Sequence, residues 1–140
     1  MAHLVFVFGT LKQGFPNFGF NTGRRVVGDF VTQERYPMYL VGERHVPWMI
    51  DTPGTGHEVV GQVFEVDATA LAAMDALERV NEPDGYRRVL IGIRRRDAVS
   101  EVRQAFAYMK PAEQLDPMQV QVGPLAEYTM EHAALYRYRP

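Results

Sequence analysis

The chain has 140 residues, a formal net charge of −2, a pI near 6.1, and 46% hydrophobic and 23% charged residues. That length suits one domain spanning residues 1–140 around one sizeable core, and mild acidity gives no general pull toward nucleic acid or an anionic membrane. Cysteine is absent, which excludes disulfides, thiolate metal sites and a cysteine nucleophile.

Leu4–Phe8 is a near-continuous apolar run that stops at Gly9, the pattern of a strand buried on both faces. Residues 11–24 ("LKQGFPNFGFNTGR") read as loop, punctuated by Gly14, Pro16, Gly19 and Gly23. Arg25–Arg35 and Tyr36–Val41 alternate β-branched and aromatic residues around Pro37, predicting two strands or one bent strand. "VPWMIDTPGTGHE" has a short apolar core and then a Pro-Gly turn. Val59–Asp67 alternates as a strand, with Gly61 marking a bulge or a close approach. Asp67 suits the N-cap of a helix from Ala68 to about Glu78. Strands are expected over Tyr86–Arg96 and Arg103–Lys110, and a short terminal helix over Glu127–Leu135. The sum is an α+β domain with a curled sheet or small barrel. No apolar run approaches a transmembrane length and no cationic-then-apolar leader opens the chain, so a cytoplasmic protein is expected.

On the predicted helix "DATALAAMDALE", Leu71, Met74 and Leu77 form an apolar stripe with Ala70 inside it. Glu78 lies at the margin of that stripe, with Asp75 farther toward its edge. A carboxylate so placed is either paired with one of the arginines or kept for chemistry, where desolvation would raise its pKa toward neutrality. "GTLKQG" has the spacing of a phosphate loop, but Phe15-Pro16 follows where Lys-Ser/Thr is required, so the nucleotide reading fails. A strand-to-turn junction remains that presents successive backbone N–H groups, which an ordinary turn explains as well. The only serine, Ser100, sits in a charged stretch that reads as a surface turn, and the four histidines show no metal-ligand spacing. "RRVLIGIRRR" reads as a solvated strand face, and Trp48, Tyr86 and Tyr108 as packing residues that also suit a pocket wall.

Several of these stretches together resemble the γ-glutamylcyclotransferase superfamily, in its γ-glutamylamine cyclotransferase (AIG2-like) branch. The family's strand followed by "YGTLK-x-G-x-PN" corresponds to "FGTLKQGFPN", and its "IPW" segment before a Pro-Gly turn to "VPWMIDTPGTG". "GQVFEVD", "MDALE", "YRR", "AFAYMK" and "LYRYRP" follow in the family's order. The resemblance implies a compact mixed β-barrel with flanking short helices and no cofactor, and the lack of cysteines and of ligand-spaced histidines predicts no metal. It implies cyclisation of the γ-glutamyl group of a small-molecule amide to 5-oxoproline, with release of the amine. Glu78 matches the family's catalytic glutamate. Phe8, Gly9, Thr10 and Leu11 match the loop that holds the glutamyl moiety, and Tyr86 and Tyr108 complete the candidate substrate-binding set. Phe8 stands where the family usually has tyrosine, so a hydroxyl contact is missing there, at a cost to affinity more than to activity.

Such a reaction accounts for the composition. The substrate's own α-amine is the nucleophile, so neither serine nor cysteine is needed, and the effective molarity is large. Two other readings stay open at this stage. One is a non-catalytic module that binds γ-glutamyl groups or small acids; the other is hydrolysis of the same amide by water.

Overall fold

The computed structural model describes residues 2–97 and 101–137, so Ser100 and the last three residues of "LYRYRP" lie outside the described residues. Its strands are β1 (His3–Val7), β2 (Arg24–Arg25), β3 (Phe30–Tyr36), β4 (Met38–Val41), β5 (Val46–Met49), β6 (His57–Val66), β7 (Arg87–Arg95), β8 (Arg103–Met109) and β9 (Val120–Val122). The α-helices are α1 (Ala68–Leu77) and α2 (Met130–Ala133).

Five strands close on themselves in the order β1-β8-β7-β3-β6 and back to β1, with β2 attached to the far part of β6. Strand β1 runs antiparallel to β6, from His3 opposite Val66 to Val7 opposite Gln62, and parallel to β8 at Val5–Phe106. This closure explains the unbroken apolar run. Phe6 packs in the larger core with Phe30, Val63, Ile93 and Ala107, while Val5 and Val7 pack in a second cluster with Phe64, Leu71 and Met74 of α1. Both faces of β1 are therefore dry. Gly61 on β6 is a close approach: a Cβ there would lie 2.5 Å from the carbonyl oxygen of Val7.

A second sheet, β5-β4-β9, stands beside the barrel. Pro37 divides β3 from β4, and the two halves join different sheets, so the ambiguous segment is two strands. The end of β5 meets the end of β8 through a bridge between Ile50 and Lys110. The side chain of Asp67 caps α1 by accepting from the Ala70 amide at 2.8 Å, as expected.

Three expectations need correction. Leu77 is not a core residue: it is 37% exposed, because α1 extends past the barrel wall that covers Leu71 and Met74. The terminal helix is shorter than Glu127–Leu135. The Leu125 amide donates to Met38 and the Val60 amide to Ala126, which hold that stretch against the sheets until Thr129 caps the helix. Strand β9 and the three-residue helical turn at Phe18–Phe20 had no counterpart in the sequence reading.

Candidate active site

The loop after β1 is tied down by its carbonyls. Gly9 O accepts from the Lys12 amide at 3.1 Å, Thr10 O from the Asn17 amide at 2.8 Å, and Leu11 O from the Asn21 side chain at 3.1 Å. The Asn17 side chain also donates to Thr10 Oγ1 at 2.9 Å. Lys12, buried, donates through its ammonium to the Tyr128 carbonyl and lies 4.3 Å from the Phe15 ring centroid. The amides of Gly9, Thr10 and Leu11 donate to no acceptor among the described residues. Three successive N–H groups are thus left at the wall of a cleft. Glycine is required at the first of them, since a Cβ on Gly9 would come within 2.7 Å of the Pro47 ring.

That cleft has a volume of about 980 Å³ and lies between the end of the barrel, the β4–β5 hairpin and the C-terminus of α1. Phe8 to Leu11 form one side, and Glu78, Tyr86 and Tyr108 also line it, so the candidate catalytic and substrate-binding residues all come to one place. Glu78 is the C-cap of α1. Its carbonyl accepts from the Tyr86 amide at 3.0 Å, and Arg79 turns the chain with φ of 55°, so the helix stops with this side chain at the cleft. Among the described residues no cation meets the Glu78 carboxylate at ion-pair distance. The ordinary salt bridge instead belongs to its neighbour: Asp75 takes Arg88 at 2.7 Å and the Tyr108 hydroxyl at 2.7 Å. Burial pushes the Glu78 carboxyl up to about 7, against the opposing pull of Lys110.

Both candidate tyrosines are committed through their hydroxyls. Tyr108 donates to Asp75, and Tyr86 donates to the Pro47 carbonyl at 3.1 Å. Burial raises both phenols above the usual range, aided at Tyr86 by Glu78 and at Tyr108 chiefly by its hydrogen bond to Asp75. They wall the cleft with rings and stay protonated.

Lys110 is the cleft residue that the sequence reading passed over. It follows Phe106 and Tyr108 on the same face at the end of β8, and that period-two spacing was the available signal. Only 5% exposed, its ammonium donates to the Asp84 carbonyl at 2.6 Å and to Gln114 Oε1 at 3.1 Å. The centroids of Trp48 and Tyr86 lie 4.3 and 4.6 Å from it. Burial lowers its pKa, with Asp84 and Glu78 pulling the other way.

The same fold is found in the crystal structure of a mouse AIG2-like protein. That crystal structure superposes with a TM-score of 0.81 at 28% identity, covering 99% of this chain and 96% of the mouse chain. A family model described as γ-glutamyl cyclotransferase, AIG2-like, matches residues 5–133, and the chain belongs to that family. It is 32% identical to zebrafish γ-glutamylaminecyclotransferase B, over 96% of this chain and 73% of the relative. It is 33% identical to bovine γ-glutamylaminecyclotransferase, over 97% and 81% respectively.

Proposed function

We propose that this protein is a γ-glutamylamine cyclotransferase, converting the γ-glutamyl group of a small amide to 5-oxoproline and releasing the free amine. One observation carries the reading. A carboxylate that burial raises to about 7 and that has no ion pair among the described residues shares a cleft with three consecutive backbone amides that have no acceptor among them. In the reaction the substrate's α-nitrogen bonds to the side-chain amide carbon, and the bond from that carbon to the leaving nitrogen breaks. Glu78 accepts the proton that the α-ammonium must lose and returns it to the departing amine. Its raised pKa suits both transfers near neutral pH. The amides of Gly9 to Leu11 stabilise the oxyanion of the tetrahedral intermediate, where fixed donors act without reorganisation. Ring closure brings the nucleophile in at an effective molarity of about 10⁵–10⁸ M, which removes the need for a protein nucleophile. The names of the zebrafish and bovine relatives support the same chemistry.

A panel of γ-glutamyl amines, scored for 5-oxoproline by mass, tests this. Acetylating the α-amine should stop the reaction, and so should shortening the side chain to β-aspartyl, which would demand a four-membered ring. In heavy-oxygen water the product should carry no solvent oxygen. Turnover of the N-acetylated substrate, or labelled glutamate as the main product, would instead assign hydrolysis.

A further inference from the structure

We infer that Lys110 binds the α-carboxylate of the γ-glutamyl group and so makes the cleft selective for an amino-acid side chain over a plain aminoalkanoyl amide. The inference rests on the cyclotransferase reading, because that reading places the substrate's α-amine beside Glu78.

Lys110 is a buried cation whose partners are neutral: a carbonyl, a side-chain amide oxygen and two aromatic faces. Buried charges are normally matched by an opposite charge. Among the described residues none meets Lys110 at ion-pair distance. An ammonium has three donors, and the Asp84 carbonyl and Gln114 take two. The other cations of the cleft are engaged elsewhere. Arg79 pairs with the Asp84 carboxylate at 3.1 Å, and Arg44 donates to the Arg137 carbonyl at 2.9 Å. Arg44 too meets no anion among the described residues, but it is only half-buried and keeps solvent. Lys110 is thus the buried cation of the cleft with a donor to spare and no anion at ion-pair distance.

The substrate's covalent structure decides what fills that place. Amine and carboxylate sit on one carbon, so an amine that hands its proton to Glu78 brings its carboxylate alongside. Two carboxylates together in a desolvated cleft repel, and the Lys110 ammonium, which already acts electrostatically on Glu78, offsets that repulsion. Its seat is preformed. Gln114 donates to the Pro83 and Gly85 carbonyls at 3.0 and 3.1 Å, and Arg87 donates to Gly85 at 3.0 Å, so the 83–85 turn has supports besides Lys110.

The test compares a γ-glutamyl amide with the 4-aminobutyryl amide of the same amine, which cyclises to 2-pyrrolidinone and lacks only the carboxylate. The wild-type protein should prefer the glutamyl substrate in kcat/KM, and Lys110→Met should lower that preference by about 10–100-fold, as loss of a charge-assisted hydrogen bond requires. Lys110→Arg, which keeps the cation, should keep most of the preference, and 5-oxoproline should bind the wild-type protein more tightly than 2-pyrrolidinone does. A Lys110→Met protein whose two rates fall together, leaving the ratio unchanged, would show a role in holding the 83–85 turn and overturn the assignment. Equal wild-type binding of the two lactams would overturn it without any variant. If the wild-type protein forms no lactam from any γ-glutamyl amine, the cyclotransferase reading has failed and this assignment falls with it.

Discussion

Replacing Glu78 by glutamine separates two consequences of one desolvation. The substitution keeps the shape of the side chain and removes its proton site. Burial moves the carboxyl from an ordinary 4.5 to about 7, so between those values the folded protein holds a proton that the unfolded chain releases. The stability contributed by this group therefore falls as pH rises from 4.5 to about 7, and the whole penalty is present above that. At pH 8 it corresponds to about 3 kcal/mol. Part of that gain is returned in the variant, because Lys110 loses the carboxylate that raises its own pKa. Glu78→Gln should be more stable than the parent by about 2–3 kcal/mol at pH 8 and equal to it near pH 4. Urea unfolding followed by Trp48 fluorescence should show this as a midpoint higher by about 1 M or more at pH 8. Turnover should fall by about 10²–10⁴-fold or more in the same protein. A variant less stable than the parent at pH 8, or one whose difference ignores pH, would mean that the carboxylate is paired and not desolvated. Near-parental turnover would remove Glu78 from the chemistry.

As the proposed general base, the same carboxyl should set the acid limb of the pH profile: kcat/KM should rise with pH through about 7, and a limb near 4 would contradict the raised pKa. Exhaustive chelation should leave turnover unchanged, since the chain has no cysteine and its four histidines lack ligand spacing; loss on treatment with EDTA, restored by one divalent ion, would require another mechanism. Gly61→Ala should destabilise the protein by about 1–3 kcal/mol or more, read by thermal unfolding, because the new methyl would lie 2.5 Å from the Val7 carbonyl oxygen at the β1–β6 seam.

The barrel strands and α1 were legible because burial imposes period two and period 3.6 on the residues themselves. The unbroken run of β1 and the cap at Asp67 both matched the folded chain. Glu78 was legible for a related reason: a carboxylate at the end of an apolar stripe is an inconsistency that invites explanation. Strand β9 was not, because "VQV" is too short to show a period and pairs with β4 across a long stretch of chain. Leu77 misled because the stripe on α1 is longer than the barrel that covers it. Lys110 was visible only as the last residue of a strand pattern; its burial depends on Trp48, Tyr86 and Gln114, which arrive from three other segments.

The anchoring of the 9–11 loop through its carbonyls has a consequence for how the site changes over evolution. Donors that belong to the main chain survive side-chain substitution, so any change at Thr10 or Leu11 that keeps the Asn17 tie and the buried Leu11 packing would reshape the wall and leave in place the amides proposed as oxyanion stabilisers. Proline is the exception among the natural residues, because it alone deletes an N–H. An ester in place of the peptide bond at Thr10 or Leu11 would do the same while preserving every side chain. Mutational scanning that stops at alanine would pass over these two amides and test only the role proposed for Glu78.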